Sequence, residues 1–157
     1  LLIFIPISYM MVKKSTHIVF ALTLTYYIFG NTSSWLNLIL IEFSSFLGTV
    51  LPDWDTRYRH RALLHNIFIF ISTFMLLTFI LKTIFDILNP VIVSISYGIG
   101  FLSHILLDLL TGGVSLFYPL TYKRFTLLKI KYDNPVLNIA LIFFGLLLFY
   151  LKMKTYL

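Results

Sequence analysis

Residues 90–113 read PVIVSISYGIGFLSHILLDLLTGG. An Asn89-Pro90 start, an unbroken apolar run and a Gly112-Gly113 stop predict a helix over residues 90–110. That is about 20 residues, the length needed to cross the hydrocarbon core of a bilayer. Ser96, Gly100, His104, Asp108 and Gly112 recur every four residues and so form one stripe. The small residues of the stripe let a neighbouring helix approach closely. The lower part then presents an imidazole and a carboxylate to the same neighbour. A carboxylate at the centre of a span costs about 2.5–3.5 kcal/mol on insertion scales, so Asp108 should face the bundle interior or a wet cavity. Taken alone, a buried His104–Asp108 contact that locks two helices explains the stripe equally well.

The rest of the chain resembles this stretch. Of 157 residues, 59% are hydrophobic and only 11% charged, against about 25% charged in a soluble domain. The mean hydropathy is +0.94. Too little polar surface remains to coat a water-soluble globule, which excludes a soluble enzyme, a secreted disulfide scaffold and a disordered regulator. The expected fold is all-α, a polytopic membrane helical bundle of four to five segments. Cysteine is absent, so disulfides, iron–sulfur clusters and thiolate zinc sites are excluded.

The predicted segments cover residues 16–30, 35–51, 62–85, 90–110 and 134–151. Ser15 or Thr16 is the expected cap of the first, which is short for a full crossing and should tilt or sit inside the bundle. Pro52 should end the second. Asn134-Pro135 opens the last. The native start is expected at Met10 or Met11, with residues 1–10 a non-native or disordered extension and residues 11–157 a single membrane domain. Alternating crossings put Lys13, Lys14, Arg57, Arg59, Arg61, Lys123, Arg124, Lys129 and Lys131 on one side. Only Lys82, Lys152 and Lys154 fall on the other. Nine against three places the first side in the cytoplasm.

All four histidines fall on that first side, although the Lys/Arg tally did not use them. His17 opens the first segment, His60 and His65 flank the start of the third, and His104 lies in the fourth. Asp53 and Asp55 close the second segment, and Asp108 lies one turn beyond His104. Seven nitrogen and oxygen ligands thus converge on one end of the bundle. Each piece has a plainer reading of its own: Pro52-Asp53-Trp54-Asp55 as a solvated acidic turn, His60 and His65 as an interfacial pair, Arg61 as a topology anchor. His60 and His65, five residues apart, can act together only if His60 precedes the helix and His65 lies in its first turns. Together the seven suit a His/Asp metal site with room for two ions, holding Zn, Mn or Fe. Such a site activates water for attack on a phosphoester or similar bond. Neither an H-E-x-x-H helix nor a G-x-S-x-G elbow is present.

Thr16-His17, Leu51-Pro52-Asp53-Trp54-Asp55, His60-Arg61 with His65, and His104-Ile105-Leu106-Leu107-Asp108 followed by Thr111 and Gly113 together resemble the membrane-bound metal-dependent hydrolase family. This is the YdjM-like group of bacterial and archaeal inner-membrane proteins. The resemblance runs from about His17 to Pro119. The chain departs from the family pattern at Ala62, where glycine is usual, at Asn66, where a small hydroxyl residue is common, and in a short 55–60 loop. The family is similar to zinc-dependent phospholipases C and single-strand-specific zinc nucleases, which implies an all-helical metal site acting on phosphoesters.

The function expected from residues and resemblance together is that of a membrane-bound metal-dependent hydrolase using metal-activated water on a lipid or nucleotide phosphoester. His17, Asp53, His65, His104 and Asp108 are the expected metal ligands. Asp55 and His60 follow as ligand, supporting residue or general base, and Arg61 as holder of an anionic substrate. The cofactor is a divalent metal, zinc first, with manganese or iron as alternatives. The expected partners are the lipid bilayer and an anionic small-molecule or lipid substrate, with no specific nucleic acid. A non-enzymatic protein that binds or moves a divalent cation is the competing reading, and a packing role for the His–Asp contacts is a third.

Overall fold

Apolar stretches separated by polar turns fold into helices α1 (Lys14–Phe29), α2 (Trp35–Val50), α3 (Ile67–Thr83), α4 (Pro90–Thr111) and α5 (Pro135–Lys154), with a 3₁₀ helix at Leu51–Asp55. The computed structural model describes residues 12–32, 34–55, 63–83, 89–128 and 134–156. Among these, the all-α membrane bundle expected from the sequence is present. Trp35–Trp54, Pro90–Thr111 and Pro135–Lys154 are long and apolar enough to cross a membrane, and α3 is a shorter apolar helix. At 16 residues, α1 is about 24 Å long, short of a hydrocarbon core of about 30 Å. It lies inside the bundle and packs on α2, α4 and α5.

Helix α4 is the centre of the molecule. A Cβ on Gly100 would run into the Ser45 carbonyl oxygen, and one on Gly48 into that of Tyr97. The small residues thus bring the α2 and α4 backbones together, the packing the stripe predicts. Ser44 Oγ donates to the Val93 carbonyl at 2.8 Å, and Ser45 Oγ shares a hydrogen bond of 2.8 Å with Thr25 Oγ1 of α1. Beside this contact, Tyr97, Phe101 and Ile105 of α4 join Val114, just beyond the helix, in an apolar core onto which Phe70 and Phe74 of α3 pack. Tyr97 also donates its hydroxyl to Thr73 Oγ1 at 2.7 Å.

Three element ends differ from the sequence expectation. Helix α3 begins at Ile67, not Ala62, because Asn66 Oδ1 accepts the Ile69 N–H at 2.9 Å. That is the bond of an N-cap. His65 therefore lies ahead of the helix instead of in its first turns. Neither Ser15 nor Thr16 caps α1: the cap position is Lys13, with no side-chain bond. Thr16 is buried and donates to Asn138 Oδ1 of α5 at 2.8 Å, so its hydroxyl joins two helices. Helix α5 runs on to Lys154, with Asn134 Oδ1 accepting from the Val136 and Leu137 amides as the sequence predicts.

The segment after α4 folds back on the site end. Gly112 and Gly113 amides both donate to the Asp108 carbonyl, and Gly113 has φ 75°, a conformation natural to glycine. Val114 and Phe125 exchange two backbone hydrogen bonds of 2.9 Å, and the Leu116 carbonyl accepts the Ile67 N–H at 3.0 Å. The start of α3 is thereby braced against the end of α4.

A candidate metal centre built on helix α4

His104 and Asp108 sit one turn apart on α4, so both side chains point the same way. His104 is 1% exposed and Asp108 0%. Three other elements aim polar groups at them. His17 comes from the first turn and a half of α1, Asp53 from the 3₁₀ helix that continues α2, and His65 from the turn before α3. Pro52 lacks the amide a regular helix would need and stands where α2 tightens to 3₁₀. That tightening turns Asp53 inward, where it is 8% exposed. Asn66 and Leu116 fix the backbone beside His65.

The distances cluster tightly. His17 Nε2 lies 3.4 Å from Asp108 Oδ1. His65 Nε2 and His104 Nε2 lie 3.4 and 3.5 Å from Asp108 Oδ2. Asp53 Oδ1 lies 3.8 Å from His104 Nε2. The His17 and His104 rings stack with centroids 4.1 Å apart. Two sets, His17–His104–Asp108 and Asp53–His65–His104, each bring one ligand atom per residue within 4.8 Å of the others.

These groups fit a metal ion. Bonds of about 2.0–2.1 Å in a tetrahedral site put neighbouring ligand atoms roughly 3.3 Å apart. The observed 3.4–3.5 Å spacings are close to that edge. No ring nitrogen of His17 or His104 meets hydrogen-bond geometry, although all are buried. Leaving a buried polar group unsatisfied costs about 1–3 kcal/mol, and a cation would remove that cost at the Nε2 atoms. The site is therefore a buried His/Asp group able to hold a metal.

All five expected ligands meet in this one place. Asp55 ends the 3₁₀ helix, but its side chain, His60 and Arg61 lie outside the described residues. Three supporting residues were not read from the sequence. Asn66 counted only as a departure from a pattern, yet it caps α3 beside His65. Lys14 counted only toward topology, yet its Nζ lies 3.5 Å from Asp53 Oδ2. Asn138, the one strongly polar residue between Pro135 and Tyr150, ties α5 to α1 one residue before His17 and was the available signal.

The profile of the YdjM inner membrane protein family matches residues 10–156. The chain belongs to this family. No curated protein and no solved structure matches it. Membership of the YdjM inner membrane family agrees with the apolar helices, and the buried His/Asp cluster is what this member adds in atomic detail.

Proposed function

We propose that the protein is an integral-membrane, metal-dependent hydrolase acting on phosphoesters, with its centre at the cytoplasmic mouth of the bundle. The observation that carries this reading is the convergence of three imidazole Nε2 atoms on the buried Asp108 carboxylate at 3.4–3.5 Å. A divalent ion held there would supply Lewis acidity, lowering the pKa of a water to about 7 in the case of zinc. Imidazole-rich, thiolate-free coordination favours zinc, with manganese or iron as alternatives.

In this reading His17, His65, His104 and Asp108 hold the cation. Asp53 completes the ligand set from the 3₁₀ helix and orients the attacking water. Asp55 or His60 accepts the proton that water gives up, and Arg61 binds the anionic group of the substrate. The excess of Lys and Arg on the site's side supports the cytoplasmic orientation. A transporter needs ligands near the midplane with access from both faces. Here the cluster sits where α1 and α3 begin and α2 and α4 end, which favours hydrolysis over transport.

Purified protein assayed on a panel of phosphomonoesters and phosphodiesters tests the proposal. Hydrolysis that requires added zinc, stops in chelator and falls at least ~100-fold in Asp108→Asn is expected. No hydrolysis of any ester by metal-loaded protein, or an unchanged rate in chelator, would reject it.

A further inference from the structure

A cavity of about 400 Å³ opens beside the centre, between α1 and the α2–3₁₀ run. His17, Asp53 and His104 form its floor, and Ile18, Phe46 and Val50 form a wall. The two helices are tied by the Thr25–Ser45 bond of 2.8 Å nearer the other end. At the level of His17 and Val50 they part and leave the cleft. Lys14 and Trp54 stand at its rim, 67% and 68% exposed. Lysine and tryptophan together mark the level of lipid headgroups.

We propose that the substrate is a membrane-resident lipid with an anionic phosphoester head, which enters sideways between α1 and α2 and is anchored at its head by Lys14. The inference rests on the hydrolase reading and names the substrate class of that same site. Three observations carry it. The wall of Ile18, Phe46 and Val50 leads from the polar floor toward the bilayer centre, and Phe46 and its neighbour one turn back, Phe43, are exposed on the lipid side. A water-soluble phosphoester would have no use for such a wall. Lys14 precedes His17 by three residues and shares its face of α1, so its ammonium stands over the floor, next to Asp53. The volume is near the low end of ligand pockets, roughly 300–1,000 Å³. It suits a phosphoglycerol head whose chains stay in the bilayer. The cavity at the opposite end, about 250 Å³ and lined by Asn31, Asn37 and Asn89, has no charged residue among its described lining residues to meet a phosphate.

The chain has two tryptophans, so Trp35→Phe leaves Trp54 as a single reporter at the rim. This variant is placed in phosphatidylcholine bilayers in EDTA and titrated with phosphatidate or phosphatidylcholine brominated near the head of the acyl chain. Phosphatidate should quench Trp54 saturably and well beyond phosphatidylcholine. The half-saturating fraction should rise about fivefold in Lys14→Gln, the loss expected for one basic contact, and recover in Lys14→Arg. Equal quenching by the two lipids, a titration unchanged in Lys14→Gln, or relief of quenching by a soluble mononucleotide that binds more tightly would overturn the proposal. The titration does not depend on metal. Metal retention without selective quenching therefore defeats lipid entry alone, whereas selective quenching of Trp54 in a Trp35→Phe protein that never binds metal defeats the hydrolase reading alone.

Discussion

Asp108 receives three imidazoles from three different parts of the chain, and it does so at 0% exposure. His104→Ala removes a ring that neighbours both His17 and His65. Its metal affinity should fall by more than the 10–100-fold typical of losing a supporting residue, as read by competition with a chelating dye. Asn66 acts differently, because it touches backbone. Asn66→Ala should lower stability by about 1 kcal/mol through the lost cap, and should also weaken metal binding by freeing the turn that carries His65. Asn66→Asp should restore only part of the loss, since aspartate keeps the cap but cannot donate to the Leu63 carbonyl as Asn66 Nδ2 does at 2.6 Å. Thermal unfolding with and without zinc separates the two effects. The clustering of His17, Asp53, His65, His104 and Asp108 was legible because a chain with so few polar groups has little reason to place them at one end. Asn66 was not, because a cap depends on where the helix starts, and hydropathy does not mark that start.

At the scale of helices, the separation of α2 from α4 sets the distance from Asp53 to His104. The Ser45 carbonyl leaves no space for a Cβ on Gly100. Gly100→Val should push the two helices apart and weaken metal binding, although residue 100 lies a full turn from His104. Retention of full metal affinity by that variant would disconnect the packing from the site. Asn138→Leu should cost about 0.6–1.7 kcal/mol, the range of hydrogen bonds between membrane helices, and should loosen the start of α1 where His17 sits. A close helix contact along α4 was readable from the spacing of Ser96, Gly100 and His104, but not that α2 makes it. The α1–α5 contact was not, because Thr16 has the same local signature whether it caps its own helix or reaches another.

For the whole molecule, polar ends and apolar flanks fit a bilayer. Phe79, Val136, Ile139 and Phe143 are each more than 60% exposed, a surface that lipid covers at no cost. The starts of α1 and α5 meet through Thr16 and Asn138, and their ends through Tyr156 and Asn31 at 2.6 Å, so the two helices run in the same direction. With no native cysteine, single replacements report orientation directly. In intact cells Arg124→Cys should resist a membrane-impermeant maleimide and Tyr156→Cys should react. The reverse pattern would put the centre on the other face of the membrane.

The central claim is that these side chains surround a cation. Elemental analysis of the protein purified from its membrane, joined with X-ray absorption at the edge of the metal found, measures it directly. The account predicts a divalent transition metal, zinc first, with only nitrogen and oxygen neighbours at about 2.0–2.1 Å, an imidazole-rich scattering pattern, and loss of the metal in His104→Ala/Asp108→Ala. Protein that carries no metal even after zinc loading, or a double variant that keeps its full complement, would contradict it.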